Sequence, residues 1–321
     1  MPATVFLDFA STSRDDLDLQ RLEATCSSLT LWPHTTLEQR LEHIGAAEVV
    51  ISNKVVLDAP LLEQLQGQLK LICVAATGTN NIDLQTAQKF SIPVTNVRNY
   101  ANRSVAEHTL ALVFNLGRRI TAYQQSTAQG DWSRSPFFCL LDHPITELAG
   151  KRFGVIGYGS LGQSTAELAR ALGMEVMIAE RDGADTVRPG RVSLDQLFAE
   201  ADIISLHCPL TTETRDLVNA DRLSQMKPEA LLINTARGGI VNEKDLLVAL
   251  ANGTIGGAAL DTLETEPPAA DSPLLQSQLP NLILTPHIAW ASRHARQTLL
   301  DQLADIIASW KQGKLLNAVS G

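Results

Sequence analysis

One stretch decides the fold of this chain: Phe153-Gly154-Val155-Ile156-Gly157-Tyr158-Gly159-Ser160-Leu161-Gly162. It opens with a short apolar run, typical of a buried strand, and leads directly into the pattern Gly157-x-Gly159-x-x-Gly162. A helical pattern follows from Ser164 to Leu172, and a second apolar run covers Val176 to Ala179. This order predicts a strand–helix–strand unit whose first turn binds the phosphates of a dinucleotide.

The three glycines have separate roles in such a turn. Gly157 permits the tight turn, Gly159 lets the backbone approach a pyrophosphate, and Gly162 lets the helix pack closely on the strand. Free N–H groups at the helix start then face the phosphates, where the helix dipole favours negative charge. Glycines also mark ordinary turns, so the prediction depends on the strand before the motif and the helix after it.

Glu180 ends the second apolar run and indicates which dinucleotide binds. A carboxylate at this point accepts hydrogen bonds from the adenosine ribose hydroxyls and repels a 2′-phosphate, which favours NAD. The neighbouring Arg181 offers a partner for a 2′-phosphate if its side chain turns inward, so NADP is disfavoured rather than excluded. The alternative is that Glu180 is a solvated strand end.

Length and composition limit the class of protein. A chain of 321 residues is long enough for two domains with separate cores. Acidic residues outnumber basic ones, 35 against 26, which argues against nucleic acid or a membrane as partner. No apolar run approaches the roughly 18 residues of a spanning helix. The N-terminus lacks a secretory pattern, and four scattered cysteines indicate a cytoplasmic protein with no metal site.

Strand and helix patterns alternate over residues 4 to about 100, and again from Gly150 to about Leu284. Such alternation predicts two parallel sheets, whose ligands lie beyond the carboxyl ends of the strands. Ala76-Thr77-Gly78 follows the fourth predicted strand, and its small side chains allow backbone N–H groups to approach an anion. The equally favoured alternative is a plain strand–helix turn capped by Asp83.

A nearly all-apolar helical pattern begins at Ser104, and its His108 is interpreted as structural rather than catalytic. Residues 125 to 150 then lose regular periodicity and carry Trp132, Phe137 and Phe138. Exposed aromatic side chains in an irregular segment usually need a partner surface. We expect a dimer contact or a flap over the active site, with a self-packed loop as the remaining alternative.

Three polar residues stand at the ends of later elements: Arg237, Glu266 and His287. Hydride transfer to a carbonyl leaves negative charge on oxygen, so an acid must supply a proton, and histidine titrates near neutrality. A carboxylate beside the ring stabilises the imidazolium, and an arginine holds a substrate carboxylate through two parallel hydrogen bonds. Each residue taken alone also fits a structural role, as a loop histidine, an ion-paired arginine or a surface glutamate.

Several motifs in a fixed order resemble the D-isomer-specific 2-hydroxyacid dehydrogenase family. Besides the glycine turn they are His207-Cys208-Pro209-Leu210, Asn234-Thr235-Ala236-Arg237-Gly238-Gly239, Gly257-Ala258-Ala259-Leu260-Asp261, Thr265-Glu266-Pro267 and Thr285-Pro286-His287-Ile288-Ala289, together with Ala76-Thr77-Gly78 in the first half. Within the family, residues 285–292 and Phe138-Cys139 are most similar to glycerate dehydrogenases, also called hydroxypyruvate reductases.

The resemblance implies a role for each matching residue. His287 is expected to donate the proton, with Glu266 as its partner and Arg237 as anchor of the substrate carboxylate. The backbone of Ala76, Thr77 and Gly78 is expected to bind the rest of that carboxylate. The implied cofactor-binding residues are Gly157, Gly159, Ser160, Leu161, Gly162, Glu180, Cys208, Thr235, Ala236, Arg237, Asp261 and His287.

The resemblance also implies the architecture and the reaction. Residues 1–100 and 290–321 are expected to form a flavodoxin-like substrate domain, and residues 101–289 a Rossmann-type NAD-binding domain with a dimerisation arm near 120–150. The expected reaction is reduction of hydroxypyruvate to D-glycerate, with glyoxylate as a further substrate, by a cytoplasmic homodimer. Three alternatives remain: oxidation of phosphite, reduction of another 2-ketoacid, and a corepressor-like binding role that depends on the cofactor. Formate oxidation is disfavoured because the formate enzymes pair the histidine with glutamine.

Overall fold

A computed structural model describes residues 1–319. The chain divides into two compact units, one made of residues 1–101 with the chain from Ala291 onward, and one of Asn102–Trp290. Both units are α/β, and each contains a six-stranded sheet. The α/β class with two parallel-sheet units is therefore confirmed.

The first unit carries short helices between its first five strands and one long helix before its last strand. Its elements are β1 (Ala3–Phe6), α1 (Gln20–Glu23), β2 (Ser28–Leu31), α2 (Arg40–Ile44), β3 (Val49–Ser52), α3 (Ala59–Gln64), β4 (Leu71–Val74), α4 (Leu84–Lys89), β5 (Val94–Asn96), α13 (Arg293–Lys311) and β12 (Ala318–Val319). The strand order is β12-β5-β4-β3-β1-β2, and all neighbours are parallel except β12 on β5. The order 2-1-3-4-5 of the first five strands is the flavodoxin-like one.

The carboxyl ends of β1 and β3 meet where the strand order of this sheet reverses. Asp8 follows β1, and its buried carboxylate accepts from the backbone N–H groups of Asn53 at 2.9 Å and Lys54 at 2.6 Å. Burial raises the pKa of Asp8, although these backbone donors act in the opposite direction. Ala76, Thr77 and Gly78 follow β4 in the same sheet, and Asn96 donates to the Thr77 carbonyl at 2.6 Å.

The second unit has longer helices. Its elements are α5 (Asn102–Arg118), α6 (Ile120–Ala128), α7 (Asp131–Arg134), β6 (Arg152–Ile156), α8 (Ser160–Ala171), β7 (Glu175–Ile178), α9 (Leu194–Glu200), β8 (Ile203–Leu206), α10 (Ala220–Gln225), β9 (Leu231–Asn234), α11 (Glu243–Ala251), β10 (Gly257–Leu260), α12 (Pro273–Gln276) and β11 (Leu282–Leu284). The sheet is parallel throughout, in the order β11-β10-β9-β8-β6-β7.

The strand order of this second sheet reverses between β6 and β8. Ligands of open parallel sheets bind beyond the carboxyl ends of the strands at such a switch point. The sheet is buried on both faces: Leu197, Phe198 and Leu246 lie in the cluster on one face, and Val113 and Ala166 lie in the cluster on the other. The sheet is therefore a rigid base for side chains at its carboxyl edge.

Two expectations for local structure were incomplete. The segment expected to be irregular begins with the end of α6 and with α7, because helical structure resumes at Ile120 after a left-handed residue at Arg119. Beyond α7 the chain is irregular as expected, and Phe137, Phe138 and Leu141 are 72%, 91% and 84% exposed. The helical patterns expected between the strands of residues 4 to about 100 yield only short helices there, among them α1 and α2.

Within residues 1–319, no helix has both the length and the apolar composition required to cross a bilayer. Cys26, Cys73, Cys139 and Cys208 are all free thiols. Burial raises the pKa of Cys73 to about 12 and that of Cys208 to about 11, so both remain protonated at neutral pH.

Candidate active site

The turn between β6 and α8 has the close packing that its glycines predict. Gly157 has φ +92°, and a Cβ on Gly162 would lie 2.1 Å from the Gly157 carbonyl oxygen. Nothing lies within 4 Å of the position that a Cβ on Gly159 would take, and no side chain caps α8 at that residue. The first N–H groups of α8 thus face open space at the positive end of a helix dipole, which fits a pyrophosphate.

Glu180 lies just beyond β7, where the resemblance places the adenosine ribose, but its carboxylate already has partners. Arg188 donates from Nε to Oε2 at 2.6 Å and from Nη2 to Oε1 at 2.5 Å. The Arg181 backbone N–H also donates, to Oε1 at 2.9 Å. The Arg188 guanidinium lowers the pKa of Glu180 to about 2, so this carboxylate is ionised at any physiological pH. Sequence reasoning did not indicate Arg188 as the partner of Glu180.

The residues after β8 lie beside the glycine turn, and those after β9 follow the next strand of the same sheet. A Cβ on Gly157 would come within 2.5 Å of the Cys208 backbone nitrogen, so the two loops are in direct contact. Burial lowers the pKa of His207 to about 4, and its Nε2 lies 2.9 Å from Ser205 Oγ. Thr235 is buried, with its hydroxyl 3.1 Å from that of Thr109, and the adjacent Ala236 is also buried.

Arg237 is exposed, in the loop that follows β9. Asn234 donates to its carbonyl at 2.8 Å, and its Nη1 donates to the Ala236 carbonyl at 2.7 Å. A Cβ on Gly238 would lie 1.8 Å from the Leu263 carbonyl oxygen, so only glycine lets this loop rest on the one that leads to Glu266. Within residues 1–319 the guanidinium forms no ion pair, which leaves most of its donors for a carboxylate.

His287 and Glu266 form the hydrogen-bonded pair that the sequence predicts. Nδ1 of His287 lies 2.7 Å from Oε2 of Glu266, and the other oxygen of Glu266 accepts from the Leu263 backbone at 2.9 Å. The two side chains are 30% and 35% exposed, so the pair is accessible from solvent. A hydrogen on Nδ1 would bond the Glu266 carboxylate in this arrangement, which leaves Nε2 as the ring nitrogen outside this contact.

The loop that presents His287 is held by Asp261, which follows β10 and has a fully buried side chain. One carboxylate oxygen accepts from Thr285 Oγ1 at 2.6 Å and from the Ile288 backbone at 2.9 Å, and the other accepts from the Ala289 backbone at 2.9 Å. His287 itself has φ +54°, a left-handed conformation that is uncommon for residues other than glycine. These bonds stabilise the conformation that exposes the imidazole.

Helix α5 holds the same loop from a second side. Ser104 Oγ donates to the Ala289 carbonyl at 2.7 Å. One turn later, His108 Nε2 lies 3.1 Å from Thr285 Oγ1 and 3.5 Å from Asp261 Oδ1. The interpretation of His108 as a structural residue agrees with these contacts. Its spacing of four residues from Ser104 was the sequence signal that both face the same neighbour.

The structure thus gathers most of the predicted residues at the carboxyl edge of the second sheet. The glycine turn, Glu180, Cys208, Thr235, Ala236, Arg237, Asp261, Glu266 and His287 all belong to that unit and follow its strands. Ala76, Thr77 and Gly78 belong to the first unit, and their role in binding substrate stays a prediction. The buried carboxylate of Asp261 serves the His287 loop, and its predicted place beside the cofactor stays untested.

A Rossmann-type sheet with a glycine turn at its switch point and a histidine–carboxylate pair at the same edge defines a class, the nicotinamide-dependent dehydrogenases. Comparison with known proteins gives the family. The family described as D-isomer specific 2-hydroxyacid dehydrogenase, NAD binding domain, matches residues 110–289. The chain belongs to the D-isomer-specific 2-hydroxyacid dehydrogenases.

Relatives match along nearly the whole chain. A glycerate dehydrogenase of Methylorubrum extorquens is 45% identical over 94% of this chain and 97% of its own. A hydroxypyruvate reductase of Blautia hydrogenotrophica is 35% identical over 98% of this chain and 99% of its own. Among solved structures, D-lactate dehydrogenase with NAD+ from Lactobacillus jensenii is 26% identical with a TM-score of 0.82, covering 99% of this chain and 100% of that one.

Proposed function

We propose that this enzyme reduces hydroxypyruvate to D-glycerate with NADH, and glyoxylate to glycolate as a second reaction. The observation that carries the proposal is the 2.7 Å contact between His287 Nδ1 and Glu266 Oε2, which leaves Nε2 as proton donor. The substrate class is supported by the names of the relatives, a glycerate dehydrogenase and a hydroxypyruvate reductase.

In the proposed mechanism, residues 157–162 and Glu180 would hold NADH, which when bound would supply the hydride for the keto carbon. His287 delivers its Nε2 proton to the keto oxygen as negative charge develops there. Glu266 stabilises the imidazolium before transfer and keeps the hydrogen on Nδ1 afterwards. Arg237 holds the substrate carboxylate with the donors that its own loop leaves unused. Asp261, Ser104 and Thr285 keep the imidazole in its exposed position.

Two further parts of the proposal concern assembly and location. The exposed Trp132, Phe137, Phe138 and Leu141 form an apolar surface of the kind that usually meets a partner, and we assign it to a homodimer. Free thiols at all four cysteines are typical of a reducing compartment, which supports a cytoplasmic location. A sedimentation mass equal to one chain would contradict the dimer.

Steady-state assay of the purified enzyme tests the reaction. With NADH we expect kcat/KM for hydroxypyruvate to exceed that for pyruvate, and we expect no NADH formation from NAD with phosphite. His287→Asn is the informative variant because asparagine tolerates the left-handed backbone, and it should lower turnover by roughly 10²–10⁴-fold. Arg237→Ala should mainly raise the KM for the ketoacid. Near-normal turnover of the His287 variant, or faster reduction of pyruvate, would reject the proposal.

A further inference from the structure

The carboxylate of Glu180 has little capacity for additional hydrogen bonds. Oε1 accepts from the Arg181 backbone and from Arg188 Nη2, while Oε2 accepts from Arg188 Nε and, at 3.3 Å, from the Arg188 backbone. A carboxylate offers about four lone-pair positions, and these donors occupy them. A ribose hydroxyl can therefore bond Glu180 only by displacing part of the Arg188 guanidinium.

Glu180 also differs from an isolated carboxylate because positively charged side chains surround it. The Arg188 guanidinium lies in direct contact, and Arg191 Nη1 lies 3.9 Å from Oε1. The side chain of Glu180 is 4% exposed, whereas that of Arg188 is 55% exposed, so a ligand in solvent meets the cation first. The repulsion by which an acid at this position excludes a 2′-phosphate is thus largely neutralised.

The backbone keeps Arg188 in this place. Residues 181–191 leave the sheet edge after β7 and return where Val192 pairs with Ala179. The Glu180 backbone N–H donates to the Val192 carbonyl at 2.8 Å, and Arg191 donates to the Arg188 carbonyl at 3.1 Å in a tight turn. Residues at the far end of this excursion are therefore brought back beside Glu180, so the backbone places Arg188 within reach of the Glu180 carboxylate.

We propose that Arg188 is the residue that determines cofactor selectivity, and that it makes NADPH a usable cofactor beside NADH. When NADH binds, the ribose hydroxyls donate hydrogen bonds to Glu180 in place of the Arg188 guanidinium, which moves outward. When NADPH binds, the same guanidinium bonds the 2′-phosphate, a group that arginine matches in geometry and charge. The inference deepens the proposed function, because it assumes that the dinucleotide lies along β7.

Equilibrium binding tests this without any ketoacid. Dissociation constants of NADH and NADPH are measured by nucleotide fluorescence for the wild type, Arg188→Ala and Arg188→Lys. We expect the two constants to lie within about tenfold of each other in the wild type, and Arg188→Ala to weaken NADPH by roughly 10–100-fold. NADH binding should stay constant or tighten, since Glu180 becomes free. Arg188→Lys should bind NADPH with an intermediate dissociation constant, because lysine keeps the positive charge and loses the pair of parallel hydrogen bonds.

Arg152→Ala is the matched control, because it removes an exposed arginine–glutamate pair with Glu200 at the opposite edge of the same sheet. It should leave both constants unchanged. Equal weakening of NADH and NADPH in Arg188→Ala would show that Arg188 only supports the loop, and an unchanged NADPH constant would also overturn the inference. If hydroxypyruvate is not reduced while the binding ratio shifts as expected, the proposed function fails and the role of Arg188 stands.

Discussion

The buried carboxylate of Asp261 gives the sharpest prediction, the effect of Asp261→Asn on stability. The side chain is fully buried and accepts three hydrogen bonds, from Thr285, Ile288 and Ala289. Asparagine has the same shape but places an NH₂ group where one carboxylate oxygen stood. If its oxygen keeps the bonds to Thr285 and Ile288, the NH₂ group faces the buried N–H of Ala289, and two donors oppose each other.

The magnitude follows from these contacts. Two hydrogen bonds to a charged acceptor become neutral ones, a loss of about 1 kcal/mol each. One buried N–H loses its acceptor, which costs about 1–3 kcal/mol. Removing the buried charge offsets part of this, so we expect a net loss of about 2–4 kcal/mol in unfolding free energy. For a unit of this size that corresponds to a Tm lower by roughly 5–12 °C.

Urea and thermal unfolding measure the loss, and hydrogen exchange read by mass spectrometry locates it. Peptides covering residues 285–289 should exchange faster than in the wild type, and turnover should fall because the His287 loop is released. The control is Asp245→Asn, whose carboxylate accepts from the Ala220 backbone at 2.9 Å in an exposed position and should cost less than about 1 kcal/mol. Equal stability of the two variants with unchanged exchange would refute the reasoning.

Three further predictions concern the carboxylate partner of His287, the contact of α5 with its loop, and the buried His207 after β8. Glu266→Gln should lower kcat by at least about tenfold with little change in the KM of the ketoacid, because the imidazolium loses its partner; steady-state kinetics beside the exposed control Glu264→Gln checks this. Ser104→Ala should cost about 0.5–1.5 kcal/mol in urea unfolding, since the Ala289 carbonyl loses a donor. Because burial lowers the pKa of His207 to about 4, the unfolded state binds the extra proton first, so this residue removes up to roughly 3 kcal/mol of stability as pH falls from about 6.5 to 4. His207→Asn should reduce the fall in unfolding free energy over this pH range, measured by urea unfolding at several pH values. An unchanged dependence on pH would contradict the role given to His207.

Much of the second unit could be predicted because its signals are local. The glycine spacing, the apolar run before it and the helical pattern after it each depend on neighbouring residues only. Helix α11, for example, lies within the alternation expected from Gly150 to about Leu284, and Asn242 caps its N-terminus by accepting from the Asp245 backbone. The residue types that follow each strand were visible for the same reason.

Other features were hidden because tertiary contacts decide them. Strand β5 has only three residues and forms because β4 and β12 lie on either side of it, so its own sequence pattern is too short to indicate it. The ion pair of Glu180 with Arg188 depends on an excursion of the chain that returns at Val192. The several bonds of Asp261 likewise form only after β10 and the 285–289 loop have met.

The contact between Gly238 and Leu263 has a consequence for changing the substrate range of this enzyme. With no gap of even one methyl group between them, the segment that carries the guanidinium and the segment that leads to the carboxylate transmit displacement without slack. Lengthening or shortening one of them alone should therefore shift the alignment of the other. A preference for a different ketoacid is better obtained by replacing both segments together with the corresponding pair from one related enzyme.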